Sequence, residues 1–224
     1  MLTLTAVIML VVTNSKTKFT LAHEPLSVDL ILDAGHGGMD GGAVSASGVC
    51  EAPINLAICQ KAQILFGFCG MNALMTRTDE SSLDYDPAAT ARINKNADLK
   101  ARLRLGQQHP DCAFLSIHLN QFRAEKYHGA QVFYSENHPG SLTLACVLQE
   151  QLRLALDPNN TRICKPSPER VFLMKNLLSP AVTVECGFLS NPEECARLQQ
   201  EDYQMKIALA LVSGYSKNEV GNNG

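Results

Sequence analysis

Residues 28–42 read VDLILDAGHGGMDGG, an apolar run that ends in a glycine-rich turn. A short apolar run bounded by a turn signal predicts a buried β-strand, here Val28–Leu32. The glycines that follow have no Cβ, so the turn lets another backbone segment or a ligand approach closely. One histidine, His36, stands in this turn, and it is the first candidate for a functional group.

On the C-terminal side of this stretch, strand-like and helix-like segments alternate. Further strands are predicted at Ala73–Thr76, Ala113–Ile117, Gln131–Tyr134 and Ala181–Val184. Helices are predicted at Ala52–Phe66, from a cap at Asp98 to Gln108, at Leu142–Leu156, from a cap at Asn191, and at Lys206–Tyr215. Strands separated by helices indicate an α/β fold, a single domain with a central, largely parallel twisted sheet flanked by helices.

The composition excludes several classes of protein. The chain has 224 residues, of which 46% are hydrophobic and 18% are charged, so it is not a disordered tail, a collagen or a coiled coil. Lys and Arg number 19 against 22 Asp and Glu, which gives a net charge of −3. A general nucleic-acid binder relies on an excess of Lys and Arg, so no nucleic-acid partner is expected.

The N-terminal region is the most apolar part of the chain. Residues 2–12 read LTLTAVIMLVV, which suits a signal-peptide core or a short membrane anchor and is shorter than the roughly 20 residues of a full span. No Lys or Arg precedes this run, and a first core strand is the alternative. We therefore expect an N-terminal signal peptide or anchor at 1–26, a catalytic domain at 27–217 and a polar tail at 218–224.

The cysteines do not form a recognisable framework. No C-x-x-C pair occurs among them, and their spacing fits neither a zinc finger nor a compact set of disulfides. Four of them, Cys59, Cys112, Cys146 and Cys186, lie in apolar stretches, where a free thiol acts as a small hydrophobic side chain. Many loose thiols favour a reducing or anaerobic setting, which argues against ordinary secretion. The eight cysteines stand at positions 50, 59, 69, 112, 146, 164, 186 and 195.

Polar side chains follow three of the predicted strands at their carboxyl ends. His36, His118 and Glu185 are these groups, and Glu51 stands just before a predicted helix. In open α/β sheets the carboxyl ends of the strands form the ligand crevice. Two imidazoles and a carboxylate are the ligand set of a catalytic zinc site, and a second carboxylate can accept a proton from water. His36, Glu51 and His118 are therefore candidate metal ligands, and Glu185 is a candidate general base.

Each of these residues also has a plainer interpretation. His36 could be an ordinary loop residue, and His118 could be a hydrogen-bonded histidine of the core. Glu51 would favour the start of a helix through the helix dipole. Glu185 is the most informative of the four, because an ionised carboxylate within the apolar stretch 180–189 is costly to bury without a metal or hydrogen-bond donors nearby.

Four ordered motifs resemble a known enzyme family. They read ILDAGHGGMDGGAV at 31–44, GVCEAPINLAI at 48–58, CAFLSIHLN at 112–120 and SPAVTVECGFLSNPEE at 179–194. Together they are similar to the zinc-dependent N-acetylmuramoyl-L-alanine amidases over roughly Val28 to Tyr215. The segments HGAQVFYS and VFLMKN resemble the germination-specific subgroup of that family, which occurs in spore formers.

The resemblance implies both an activity and a site. His36, Glu51 and His118 would hold Zn²⁺, and Glu185 would be the catalytic residue. The substrate would be the glycan-peptide of peptidoglycan, cut at the amide between N-acetylmuramic acid and L-alanine. The protein would then be exported or membrane-tethered on the cell-wall side, in the spore envelope if it belongs to the germination-specific subgroup.

Two positions depart from the family pattern. Leu119 stands where a small residue is common, and Ala52 stands where a basic residue is common, so both are expected to reshape the mouth of the site. Arg77 and Arg102 are candidate contacts for a carboxylate of the peptide, although a structural or solvated role is the more frequent one for an arginine.

The germination-specific resemblance also implies partners. The enzyme would help form muramic-δ-lactam in the spore cortex together with a functionally linked deacetylase, and it would have a lipoprotein partner. Independently of the resemblance, the apolar residues 2–12 would serve as a membrane tether. Two alternatives stay open. A zinc peptidase of the stem peptide would use the same four groups, and a catalytically inactive wall-binding module would keep the fold without the reaction.

Overall fold

Strands and helices alternate along residues 27–222, the part of the chain that the computed structural model describes. The strands are β1 Leu30–Ala34, β2 Ala73–Met75, β3 Ala113–Asn120, β4 Gln131–Tyr134, β5 Lys165–Pro166 and β6 Ala181–Phe188. The helices are α1 Glu51–Phe68, α2 Ala91–Gln108, α3 Gly140–Leu156, α4 Phe172–Asn176, α5 Pro192–Leu198 and α6 Glu201–Asn222. The predicted α/β fold is confirmed, whereas the apolar segment at residues 2–12 lies outside the described residues.

A single six-stranded sheet joins the strands in the order β2-β1-β3-β6-β4-β5. Neighbouring strands are parallel except for β4 and β6, which are antiparallel. This confirms the largely parallel sheet. Parallel strands are covered by helices on both faces, which is why β1 reads as an apolar run and is buried along its whole length.

The side chains of β1 alternate between two hydrophobic cores, because successive residues of a strand point to opposite faces of the sheet. Leu30 and Leu32 belong to the larger core, to which α1, α3 and α6 contribute. Ile31 belongs to the smaller core, which α2 and α4 cover. The glycine-rich turn therefore leaves the sheet from a strand that is held on both sides.

Two strands continue past their predicted ends. β3 runs to Asn120 and β6 runs to Phe188, because pairing between them continues through His118 and Glu185, which are register partners. His118 and Glu185 thus lie inside the carboxyl-terminal part of their strands and not after them. Backbone pairing fixes their relative position more firmly than two loops would.

The predicted cap at Asp98 is wrong. α2 begins at Ala91, and the side chain of Thr90 accepts the capping hydrogen bond. Asp98 lies inside this helix, where its carboxylate pairs with Arg102 and accepts a hydrogen bond from the backbone N–H of Leu83. Aspartate is a common N-cap residue, but the carboxylate of Asp98 instead pairs with Arg102 one turn later in the same helix.

The last helix is longer than predicted. It covers Glu201–Asn222 instead of Lys206–Tyr215, so residues 218–222 of the expected polar tail continue it. The hydrophobic pattern stops near Tyr215, but the polar residues that follow it are compatible with a helix. Within residues 27–222, no helix combines the length and the apolar character needed to cross a membrane.

One pair of cysteines is bonded. Cys146 of α3 and Cys164 form a disulfide with a Cα–Cα distance of 5.5 Å, so the expectation that Cys146 is a free, small hydrophobic side chain is wrong. Their separation of 18 residues in sequence gave no sign of this pairing. The other cysteines are free thiols: Cys50, Cys59, Cys69, Cys112, Cys186 and Cys195.

Candidate metal centre

His36 lies in the turn after β1 in a left-handed backbone conformation, with φ of 61°. Residues other than glycine adopt this conformation infrequently, and it is often associated with function. His36 Nδ1 lies 3.0 Å from Asp40 Oδ2, which also pairs with Lys95. Burial by itself would lower the pKa of His36, but hydrogen bonds to Asp40 and Glu51 raise it to about 9. Asp40 thus fixes the orientation of the ring.

Glu51 is the first residue of α1 and is almost fully buried. Its carboxylate accepts hydrogen bonds from the backbone N–H groups of Ala43 and Leu119 and from the side chain of Asn55. Burial would raise the pKa of Glu51, but hydrogen bonds from His118 and His36 hold this pKa well below its usual range. The carboxylate is therefore ionised and rigidly held.

The three candidate ligands meet at one point. His36 Nε2 lies 3.3 Å from Glu51 Oε2, and His118 Nδ1 lies 2.9 Å from Glu51 Oε1. One potential ligand atom from each residue lies within 4.8 Å of the others. The two imidazole rings are 4.9 Å apart and nearly perpendicular. This cluster, brought together from β1, α1 and β3, could hold a metal ion.

Glu185 lies beside the cluster, directly opposite His118 in the pairing of β3 with β6. Its Oε2 atom is buried and has no hydrogen-bond partner among the described residues. Burial raises the pKa of Glu185 to about 7, with the nearby charges of His118 and Glu51 acting in opposite directions. A carboxyl group with this environment suits proton transfer near neutral pH.

Two arginines support the end of β1 and the glycine-rich turn after it by donating hydrogen bonds to backbone carbonyl groups. Arg102 donates hydrogen bonds to the carbonyl groups of Ala34 and His36, at 2.7 Å and 2.6 Å. Arg77 donates to the carbonyl groups of Ala34 and Gly35, at 2.9 Å and 3.1 Å. Both arginines are buried, which confirms their structural role and excludes direct contact with a peptide carboxylate.

The two departures from the family pattern do not reshape the mouth of the site as expected. Leu119 is buried in the larger core, and Ala52 is also buried. The backbone of each still serves the site, since the N–H of Leu119 donates to Glu51 and the carbonyl of Ala52 accepts from Arg77. The mouth is therefore shaped by other residues.

Sequence reasoning missed two groups that orient the candidate ligands. Asp40 holds His36, and Asn55 donates to both Glu51 and the carbonyl of Gly35. The spacing held a usable signal, because Asp40 lies in the same turn as His36 and Asn55 lies one helical turn after Glu51. A metal-binding histidine commonly donates a hydrogen bond from its second ring nitrogen to a carboxylate.

Comparison with known proteins gives consistent matches over this domain. A model of the N-acetylmuramoyl-L-alanine amidase family matches residues 30–217. The germination-specific N-acetylmuramoyl-L-alanine amidase of Bacillus subtilis (strain 168) is 36% identical over 193 residues, which cover 85% of this chain and 79% of that protein.

Solved structures agree with these matches. The CwlD amidase from Clostridioides difficile, solved in complex with the GerS lipoprotein, matches with a TM-score of 0.83 and 41% identity, covering 87% of this chain and 99% of that chain. The catalytic domain of the amidase CwlV from Bacillus (Paenibacillus) polymyxa var. colistinus matches with a TM-score of 0.72 and 26% identity, covering 85% and 97%.

The family match spans most of the described domain, including all four candidate site residues. The germination-specific relatives match over a similar part of the chain and at higher identity than CwlV does. The chain therefore belongs to the N-acetylmuramoyl-L-alanine amidase family, resembles its germination-specific, CwlD-like members, and is an amidase that acts on peptidoglycan.

Proposed function

We propose that this amidase is zinc-dependent and hydrolyses the amide that joins the lactyl group of N-acetylmuramic acid to L-alanine. His36, Glu51 and His118 are the zinc ligands of this proposal, and Glu185 is its general base. The observation that carries it is the pairing of His118 with Glu185, which places the carboxylate of Glu185 beside the three-residue cluster. The Oε2 atom of this carboxylate is buried and has no hydrogen-bond partner in the part of the chain that the structure describes.

The donor atoms fit zinc. Two imidazole nitrogens and a carboxylate oxygen are a common ligand set of catalytic zinc sites, which keep another position for water or substrate. Two ligands of a tetrahedral zinc at about 2.1 Å lie about 3.4 Å from each other. Glu51 Oε2 lies 3.3 Å from His36 Nε2 and Glu51 Oε1 lies 2.9 Å from His118 Nδ1, and one possible ligand atom of each residue lies within 4.8 Å of the others, so the contacts of Glu51 are close to this spacing.

Two glycines leave the space that the ligand side chains occupy. A Cβ added to Gly35 would lie 2.3 Å from His118 Cε1. A Cβ added to Gly42 would lie 2.6 Å from Glu51 Oε2 and 2.7 Å from His36 Cδ2, and Gly42 also has φ of 71°. The ligands occupy the space that side chains would fill at these positions.

Gly35→Ala is expected to weaken zinc binding by about ten- to hundredfold, which is the usual effect of disturbing the groups that orient a ligand. The new methyl group would displace the ring of His118. Competition with a chromophoric chelator measures the affinity. Gly67→Ala is the control, since an added Cβ at Gly67 of α1 meets no atom of residues 27–222 within 4 Å. Unchanged zinc affinity in Gly35→Ala would contradict the proposal that the ring of His118 needs the space at Gly35.

The chain's own residues account for the proton transfers. Zinc, when bound, supplies positive charge that polarises the scissile carbonyl and makes water more acidic. Glu185 accepts a proton from the attacking water and returns it to the nitrogen of L-alanine as the carbon–nitrogen bond breaks. The pKa of Glu185, raised to about 7 by burial, suits both steps.

The spore role is the finer part of the proposal. The similarity to the germination-specific amidase of Bacillus subtilis and to CwlD supports a role in cortex processing, with muramic-δ-lactam formed together with a deacetylase. CwlD was solved with the GerS lipoprotein, which supports a lipoprotein partner for this chain. We propose export to the cell-wall side, with residues 2–12 as signal peptide or anchor.

Digestion of purified peptidoglycan tests the reaction. We expect the zinc-loaded protein to release peptides that begin at L-alanine, identified by mass spectrometry. Removal of zinc with a chelator should abolish the release of peptides, because the site then lacks the positive charge of the metal ion. Added zinc should restore the release. Activity that survives complete removal of the metal would contradict the zinc dependence.

The same digestion separates the amidase from the peptidase alternative. A zinc peptidase would leave L-alanine on the muramic acid and release shorter peptides, whose masses differ from those of complete stem peptides. A catalytically inactive module would release neither kind of product. Only complete stem peptides with a free L-alanine amino group support the proposed bond specificity.

A further inference from the structure

A groove with a volume of about 480 Å³ opens beside β4, outside the metal centre. Among residues 27–222, its lining includes Lys126, Arg162 and Lys165 and contains no Asp or Glu. The arginine and lysine ion pairs among residues 27–222 involve other residues, so these three cations have no carboxylate partner there. In a chain of net charge −3, such a groove is a local concentration of positive charge.

A row of side chains connects the groove to the catalytic residue. His118 pairs with Glu185 across β3 and β6, and Glu185 pairs with Gln131 across β6 and β4. Paired residues on neighbouring strands point to the same face of a sheet. Gln131 Oε1 then accepts a hydrogen bond of 2.9 Å from Arg162 Nη1. The row thus passes from the metal ligands through Glu185 to the groove.

Arg162 is held in one orientation. Its Nε atom donates a 2.8 Å hydrogen bond to the carbonyl of His128. Its guanidinium carbon lies 4.6 Å from the centre of the Phe188 ring. A guanidinium group that is fixed in this way loses little freedom when it binds a ligand, and its planar donors match a carboxylate. The groove therefore presents a preorganised donor for an anion.

The position of Glu185 indicates which part of the substrate reaches this groove. Glu185 returns a proton to the nitrogen of L-alanine in the proposed mechanism, so this nitrogen must lie close to it. β4 lies on the side of β6 that faces away from β3 and the metal ligands. A peptide that starts at L-alanine and extends away from the metal centre therefore passes over β4.

We propose that Lys126, Arg162 and Lys165 form a subsite that binds a carboxylate of the substrate's peptide, on the leaving side of the scissile amide. The proposal rests on the role of Glu185 given above. A peptide carries a carboxylate at its C-terminus and on any acidic side chain, and a charge-assisted contact with Arg162 would distinguish such a group from a neutral amide.

Titration with two small peptides tests the subsite. L-alanyl-D-glutamate and its diamide are added to the zinc-loaded full chain, and Kd is read from NMR shifts. We expect at least about tenfold tighter binding of the acid, the usual size of a charged hydrogen bond. Arg162→Met and Lys165→Met should each reduce that preference. Arg104→Met, at an exposed position of α2 outside the groove, should retain it.

The outcomes separate the subsite from the reaction. Equal binding of the acid and the diamide, or a preference that persists in both groove variants, overturns the proposal. Lys165 is exposed on the short strand β5, so Lys165→Met decides the matter even if Arg162→Met fails to fold. Hydrolysis of a muramoyl peptide is followed separately. An intact preference without hydrolysis would contradict the proposed reaction and support the subsite.

Discussion

Glu185→Gln is expected to reduce amide hydrolysis by about 10²–10⁴-fold, the usual contribution of a general acid–base group. Glutamine keeps the shape of the side chain but neither accepts the proton of water nor returns it to the leaving nitrogen. The three candidate ligands do not include Glu185, so zinc content should not change. The measurements are kcat on a defined muramoyl peptide and zinc stoichiometry by metal analysis.

Folding should survive this substitution. Glu185 Oε2 has no hydrogen-bond partner among the described residues, so replacing the carboxyl group breaks no contact at that atom. Glu185→Ala should lose activity and retain zinc in the same way. Glu193→Gln is a matched control on the exposed side of the first turn of α5, and it should leave kcat unchanged. Retained hydrolysis in both Glu185 variants would refute the assigned role.

The sequence predicts the central sheet well because its strands are encoded locally. The apolar run of β1 is followed by turn residues, and the burial of this strand on both faces requires no alternation in the sequence. The short elements β5 and α4 were not predicted, since two and five residues carry too little periodicity. Their positions depend on packing against β4 and against the smaller core.

The sequence marks the four candidate site residues because each lies in or near the last part of a strand or the first part of a helix. His36, Glu51, His118 and Glu185 are held by backbone features, namely a turn, a helix start and a pair of strands. Their residue types match zinc chemistry, and the ordered motifs support the same set.

The supporting contacts of the arginines could not be predicted, because they join residues that are distant in sequence. Arg102 reaches back 66 positions to the carbonyl of His36, and Arg162 reaches 31 positions to Gln131. No local pattern marks an arginine as buried beneath a turn or as stacked on Phe188. Tertiary structure alone shows that Arg102 supports the site and that Arg162 faces a groove.

His118→Ala is expected to weaken zinc binding by more than about a hundredfold, because loss of a direct ligand should exceed the ten- to hundredfold effect of losing an outer-shell partner. Hydrolysis should be lost with the metal. Glu51 would lose one hydrogen-bond donor but keep the N–H groups of Ala43 and Leu119 and the side chain of Asn55. The buried carboxylate thus remains hydrogen-bonded, and the fold should persist.

Metal analysis and circular dichroism together distinguish loss of the ligand from loss of the fold. His36→Ala should behave like His118→Ala, since both imidazoles contact the same carboxylate of Glu51. His109→Ala is the control, because His109 follows the last residue of α2 and lies outside the cluster. Zinc stoichiometry and affinity that stay unchanged in His118→Ala would refute the ligand set, whereas zinc loss from a folded variant, with full zinc in His109→Ala, would support it directly.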